Sequence, residues 1–377
     1  MIQSPGLLLT VLAFALVLGP LVFLHELGHY LAGRWFGVKA DEFSIGFGRE
    51  VAGFTDKRGT RWKFGWLPLG GYVRFAGDMN PASVPDPAWL ALPPAERART
   101  FPAKPLWQRA IIVAAGPLAN FIVAIVILAG FALVFGQPST PTVLKGVVPN
   151  TAAAAAGLQP GDRITAIGGR AVDTFDMIAK YTVLRPKETV RIEFERGGQT
   201  MHTDAVIGER EERDNFGNRF RIGVLGVESG KPVFTPVGVL EAPFVGIRDT
   251  ARAVQMTVDG LGQIITGRRS VKDMGGPLSI ARVSGERLAM GPVEFVFLIA
   301  FISINLGFIN LLPLPILDGG HLLFYGIEAV RRRPVEPQVM EWAFRGGLMA
   351  ILALMLLVTF NDLDAFGVWR NLRGLIG

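Results

Sequence analysis

Between Leu7 and Phe36 the chain is apolar for long enough to cross a membrane, and inside that run sits His25-Glu26-Leu27-Gly28-His29. A helix needs about 20 apolar residues to span the hydrocarbon core. The residues before the histidines, LLLTVLAFALVLGPLVFL, carry no charge. Ionisable side chains at that depth are costly and are read as functional. On a helix, residues 25 and 29 share a face. Two imidazoles can therefore meet one metal ion, with Glu26 beside them to handle a proton. The competing reading is a pair of helix histidines bonded to neighbours. A metal supplies the compensation that three ionisable groups in one turn of a membrane helix require. The chain has 4 His, and two of them fall in this motif.

A chain of 377 residues has room for two or three domains. Hydrophobic residues make up 50% and charged residues 19%, with a mean hydropathy of +0.38. That is the profile of a membrane protein carrying a water-soluble portion. Cysteine is absent, which excludes a disulfide framework and a thiolate metal site. Any metal falls to His and carboxylate donors. The net charge of +6 would suit nucleic acid. Membrane proteins, however, gather Lys and Arg in cytoplasmic loops, and that accounts for it, so no nucleic-acid partner is expected. No Lys or Arg precedes Arg34, so the first run lacks the basic start of a cleaved signal peptide and reads as a retained span.

Further apolar runs near 110–135, 293–317 and 347–360 bring the expected spans to four. The segment between the first two is rich in Lys and Arg, from Arg34 and Lys39 to Lys104 and Arg109. The link between the last two carries Arg331, Arg332 and Arg333. Both segments should face the cytoplasm, with the region 136–290 and both termini on the other side. If Arg34 snorkels to the cytoplasmic surface, His29 lies about 7–8 Å beneath it at helical rise. The expected layout is a first span at 1–37, a hairpin region and Pro-rich loop at 38–105, a second span at 106–138, a soluble domain at 139–229, amphipathic helices at 230–290, a third span at 291–330, and a fourth span with a short tail at 331–377.

Residues 41–76 alternate aromatic and β-branched residues with glycines and charged turns. They read as short strands, with Asp56-Lys57-Arg58-Gly59 at a hairpin tip. Such a sheet beside a buried site offers an edge to an extended peptide, or is a packing element. Residues 78–105 are Pro-rich and read as a loop. In Gly116-Pro117-Leu118-Ala119-Asn120, the polar Asn120 is read as a bond to a neighbouring helix rather than as part of the site. Residues 141–228 alternate strands, turns and short helices, and AGLQPGDRITAIGG resembles a permuted bacterial PDZ domain. Such a domain takes an extended peptide, for instance a free C-terminus, as an added strand; the alternative is a steric plug. His202, in one of its strands, reads as an ordinary surface residue. Helical patterns follow over 236–266 and near 277–288.

A catalytic zinc keeps three protein ligands and one open position, so two histidines need a third partner. Asp318 is the one carboxylate between Glu294 and Glu328. It ends the third apolar run, after Pro313 and Pro315, at the depth assigned to His29. Prolines break the helix there, and irregular backbone at that depth is tolerated where it lines an enclosed cavity. Asn305 and Asn310 add polar groups to the same segment. Asp318 is expected to ligate the metal; the alternative is a helix cap. His321, three residues after Asp318, is read as a cytoplasmic-edge residue; the alternative is a partner that supports a metal ligand.

The stretches FLHELGHYLAGRWFGV, FSIGFG, GPLAN, GGPLSIA and SINLGFINLLPLPILDGGHLL resemble the site-two protease family of intramembrane zinc metalloproteases, in its regulator-of-sigma-E protease branch. The fold implied is a multi-pass α-helical membrane protein of four transmembrane helices, with a small membrane-associated β-sheet and an inserted α+β PDZ domain. The location implied is a bacterial inner membrane, with the active site toward the cytoplasm and the PDZ domain periplasmic. The activity implied is hydrolysis of a peptide bond within the transmembrane segment of single-pass proteins. These would be anti-sigma factors already trimmed on the outer side, similar regulators or signal-peptide remnants. By the same resemblance, His25, His29 and Asp318 hold Zn2+ and Glu26 is the catalytic base. Asn310 and Asn305, with Gly46, Phe47 and Gly48 of the sheet, hold the unwound substrate. The best-known members carry two tandem PDZ domains, whereas this protein has room for one. Two other classes compete: a membrane adaptor with a structural metal, and a metal transporter. A transporter would show carboxylate or His pairs across several spans, which spans two and four lack.

Overall fold

The computed structural model describes residues 6–78, 87–183, 185–213, 219–266 and 275–365. Pro81 and Pro85 of the expected loop, and the tail beyond residue 365, lie outside the described residues. The protein forms two compact units. One comprises Met1–Ala129, Pro243–Asp259 and Val271–Gly377, and the other Gly130–Ala242 and Gly260–Ser270.

The first unit is built around helix α1 (Leu7–Trp35). Its buried residues include Ala13, Val17, Leu21, His25, His29 and Gly33, each four positions from the next in the stripe. Four residues turn a helix by about 40° beyond a full turn, so this stripe winds around α1. Its first half, Ala13, Val17 and Leu21, packs with Phe295 and Leu298 of a later helix. Past the histidines, Tyr30 packs with Phe43, Val73, Phe75 and Ile112. The histidines thus sit where one packing partner gives way to another.

After α1, strands β1 (Ala40–Thr55) and β2 (Arg61–Phe75) form one hairpin. The strands are longer than the short ones expected, because each changes partner along its length. Residues 42–45 pair with 61–64 on one side and 71–74 on the other, and 52–55 pair back on 61–64. Among the described residues, 71–74 is therefore an edge. Asp56 closes the tip, accepting the backbone N–H groups of Arg58 (2.8 Å) and Thr60 (2.9 Å). A single turn, α2 (Pro94–Arg97), precedes α3 (Leu106–Phe135).

The second unit holds strands β3 (Gln137–Ser139) and β4 (Leu144–Val147), helix α4 (Ala152–Ala155), β5 (Arg163–Ile167), β6 (Arg170–Ala171), helix α5 (Phe175–Val183), β7 (Thr189–Arg196), β8 (Gln199–Val206), β9 (Gly208–Arg213), β10 (Arg219–Val224), β11 (Val227–Ser229) and β12 (Val233–Thr235). Its central sheet has the order β6-β5-β7-β8. Gly168 and Gly169 both take positive φ (57° and 73°), as a tight turn between β5 and β6 requires. Ile164, Ile167, Ile178, Ile192, Phe194 and Ile207 form the core. His202 is exposed on β8.

The remaining helices are α6 (Ala242–Ile265), α7 (Pro277–Met290), α8 (Pro292–Asn310), α9 (Asp318–Arg331) and α10 (Pro337–Ala365). The stretch expected as one third span is divided. α8 stops at Asn310, and Asp318 begins a new helix. Pro313 and Pro315 lack the N–H groups that would carry α8 onward. Gly319 and Gly320 let the carbonyls of Leu311, Leu312 and Leu314 fold down onto the first turn of α9, where a Cβ would collide. Among the described residues, the helices long and apolar enough to span are Leu7–Trp35, Leu106–Phe135, Pro292–Asn310 and Gln338–Leu363. Many of their outward residues are exposed and apolar, among them Leu12, Ile122, Phe297 and Leu356. The protein is a multi-pass α-helical membrane protein with a small sheet and an inserted α+β domain.

Candidate metal centre

Side chains from α1, α3, the hairpin and the head of α9 surround a cavity of about 520 Å³. His25, Glu26, His29, Asn310, Asp318 and His321 all line it. Asp318 Oδ2 lies 3.2 Å from His25 Nε2 and 3.5 Å from His29 Nε2, and the two imidazole nitrogens are 3.3 Å apart. A tetrahedral ion bonded at about 2.0–2.2 Å separates its ligand atoms by about 3.3–3.6 Å. Triangle and donor set both fit zinc, with one coordination position left over for a reactant. Asp318 also heads α9, where a carboxylate meets the positive end of the helix dipole.

Helix α3 brings His29 into register. His29 Nδ1 donates to the carbonyl of Ile112 at 2.9 Å, which leaves Nε2 as the free lone pair facing Asp318. The approach depends on two glycines. Gly28 of α1 lies against the carbonyl of Ala115, and Gly116 of α3 lies against the His29 ring; a Cβ at either would overlap its neighbour.

Glu26 is held from the other side. It is 8% exposed, and its carboxylate accepts the backbone N–H of Val73. A Cβ on Gly71 would come within 2.9 Å of Glu26 Cγ and 2.7 Å of the Ser44 carbonyl. The free edge of the sheet, Gly70 to Val73, thus runs along the cavity. Behind it, Glu42 accepts from Lys63 (2.6 Å), Arg74 (2.7 Å) and Tyr72 (3.0 Å). Burial would raise the Glu42 carboxyl, but these three donors hold it below the ordinary range.

The expected substrate contacts divide. Asn310 and Phe47 line the cavity; Asn305, Gly46 and Gly48 do not. Asn305 Nδ2 donates to the Phe301 carbonyl (2.8 Å), and its Oδ1 accepts from Thr257 of α6 (3.2 Å). Gly46 and Gly48 take φ of +85° and +83° and are pressed by Leu67 and Trp66, so they shape the hairpin. Two residues are nearer the chemistry than expected. Asn120 is fully buried, with its amide 3.1 Å from His25 Nδ1. His321 lines the cavity: it is 7% exposed, and its ring packs on Phe344 and Tyr325. The signal for Asn120 was a lone amide at membrane depth, three residues after Pro117.

The sequence profile of peptidase family M50, the site-two proteases, matches residues 13–354. This chain belongs to that family. A protein of Agrobacterium fabrum, named as a zinc metalloprotease, is 43% identical over 360 residues, covering 94% of this chain and 96% of its own length. The metalloprotease MmpA of Caulobacter vibrioides is 38% identical over 394 residues, covering 98% and 99%. A PDZ-domain structure from Listeria monocytogenes is similar at 21% identity and a TM-score of 0.19, covering 25% of this chain and 88% of that one. This M50 protein is a zinc metalloprotease of the membrane, and zinc is its cofactor.

Proposed function

We propose that this M50 protease cleaves a peptide bond within the transmembrane segment of single-pass membrane proteins, with His25, His29 and Asp318 holding zinc and Glu26 acting as the general base. The observation that carries the reading is the 3.2–3.5 Å triangle of donors in a cavity that Glu26 shares. What zinc supplies when bound is Lewis acidity: water acidic near neutral pH and a polarised carbonyl. Glu26, held by the Val73 N–H, takes a proton from the attacking water and passes it to the leaving amine. The substrate helix must first unwind, because its carbonyls are engaged in hydrogen bonds. The free edge at Gly70 to Val73 offers backbone groups to such an unwound segment as an added strand, and Asn310 adds an amide beside it.

The substrates are regulators of the anti-sigma-factor type after a first cut, with signal-peptide remnants as a second class. The location is the bacterial inner membrane, with residues 38–105 cytoplasmic and the PDZ domain periplasmic, in keeping with the Lys and Arg bias. The PDZ domain takes a newly exposed peptide C-terminus. The test is Glu26→Gln. Zinc stays bound, and quantitative proteomics of membranes finds single-pass segments accumulating relative to wild type. Cleavage at the wild-type rate by that variant would remove the assignment.

A further inference from the structure

The two histidines are supported from the same helix, but by different chemistry. Beneath His29 is a backbone carbonyl, that of Ile112, which can only accept. Beneath His25 is the carboxamide of Asn120, which can either donate or accept. Asn120 itself is firmly placed: it is 0% exposed, and its backbone carbonyl accepts from Ser303 of α8 at 2.7 Å.

In the structure Nδ2 of Asn120 faces His25 Nδ1, and Oδ1 is buried without a partner. Donation from Nδ2 makes Nδ1 the acceptor and leaves the imidazole proton on Nε2. That tautomer has no lone pair to give at Nε2, the atom that faces His29 and Asp318. A half-turn of the carboxamide exchanges two atoms of nearly equal size and puts Oδ1 on Nδ1. The half-turn moves the unpaired group from Oδ1 to Nδ2, so counting hydrogen bonds does not choose between the two arrangements. The tautomer that a metal ligand requires does choose.

We propose that Asn120 is a positioning residue that accepts the Nδ1–H of His25 through Oδ1 and so holds His25 Nε2 free for zinc. The inference rests on the zinc site proposed above. Asn120 does not touch the ion or the reacting peptide; it acts through His25, as Ile112 does through His29.

The test uses the full-length protein purified in detergent, with zinc affinity read by chelator competition and geometry read from the visible absorption of the cobalt-substituted protein. Asn120→Leu keeps the volume but removes the acceptor. It should weaken zinc binding roughly 10–100-fold and alter the cobalt spectrum. Asn120→Asp can only accept, and should keep wild-type affinity or tighten it. That variant also serves if the leucine variant fails to fold. Wild-type affinity and an unchanged cobalt spectrum in Asn120→Leu would overturn the proposal, as would a loss in Asn120→Asp as large as in Asn120→Leu. A His25→Ala variant separates the two levels. If it binds zinc as wild type does, the zinc-site reading itself falls, and this inference with it.

Discussion

Gly116 of α3 lies so close to the imidazole of His29 that any side chain there would enter the ring. The glycine therefore sets how near α3 comes to α1, and with it the reach of the Ile112 carbonyl to His29 Nδ1. Gly116→Ala should force His29 off that carbonyl and weaken zinc binding roughly 10–100-fold, the usual effect of disturbing a ligand's support. Helix content measured by circular dichroism should stay unchanged. Wild-type zinc affinity in this variant would mean that α3 does not orient His29.

Gly71 of β2 makes the complementary case, because the atoms a side chain there would meet first belong to Ser44, Glu26 and Val22. A methyl group at position 71 pushes the sheet edge or the carboxylate aside. Gly71→Ala should lower substrate cleavage about 100-fold, as a displacement of about 1 Å at a reacting group can do. Zinc content should remain at the wild-type level. A variant that lost zinc together with activity would show that the edge supports the whole centre rather than its base.

How far the sequence reached follows from the kind of information each residue needs. The spacing of His25 and His29 is a local fact of helix geometry, and Asp318 was the one carboxylate at the matching depth. Both assignments needed only one-dimensional reasoning. Asn305 and Asn310 show where that reasoning stops. Five residues on a helix turn through about 140° beyond a full turn, so the two cannot face one cavity. Asn310 lines it, and Asn305 turns to Thr257. The hairpin was legible from its alternation and its turn, but its free edge was not, because register depends on long-range pairing. Gly46 and Gly48, expected as substrate contacts, take positive φ and do not line the cavity, while Gly70 to Val73 do. The partner of Asn120 lies 95 positions away, and no local pattern encodes it.

In the second unit, Asp162 is 1% exposed and accepts two hydrogen bonds from Arg196 at 2.7 Å and one from the Gln159 N–H at 2.8 Å. Burial would raise its carboxyl, but Arg196 and Gln159 outweigh it and hold the group below the ordinary range. A carboxyl depressed in the folded state contributes stability above its unfolded pKa, near 4, and that contribution is lost as pH falls toward the folded value. Hydrogen exchange at residues 157–196 of the full-length protein, corrected for intrinsic rates, should therefore be flat from pH 7 to about 5 and report falling stability below about 4. Arg196→Met should destabilise the unit at neutral pH, because buried Asp162 loses two of its donors. Its fall in acid should be weaker than that of the wild type. An equally steep fall in both proteins would assign the acid sensitivity to another group.

Asp362 of α10 does for α7 what a capping residue next in sequence does for most helices. Gly276, which precedes α7, has no side chain to offer its N–H groups. The carboxylate of Asp362 accepts from the backbone of Gly276, Leu278 and Ser279, each at 3.1 Å, and from the Ser279 hydroxyl at 2.5 Å. Gly276 is needed because a Cβ there would come within 2.6 Å of that carboxylate. Helix α7 in turn places Val283 and Leu288 against Ala13, Val17 and Leu21 of α1, on the turns that precede the histidines. Asp362→Ala removes a carboxylate that is itself 2% exposed and leaves its donors without that acceptor, which should cost about 1–3 kcal/mol. Asp362→Asn, which still accepts, should cost less. Thermal unfolding in detergent should order wild type above Asn above Ala. Zinc affinity measured well below the transition should hardly change, because α7 gives no residue to the cavity lining. If Asp362→Ala unfolds with the wild type, the α7–α10 junction is held by packing alone.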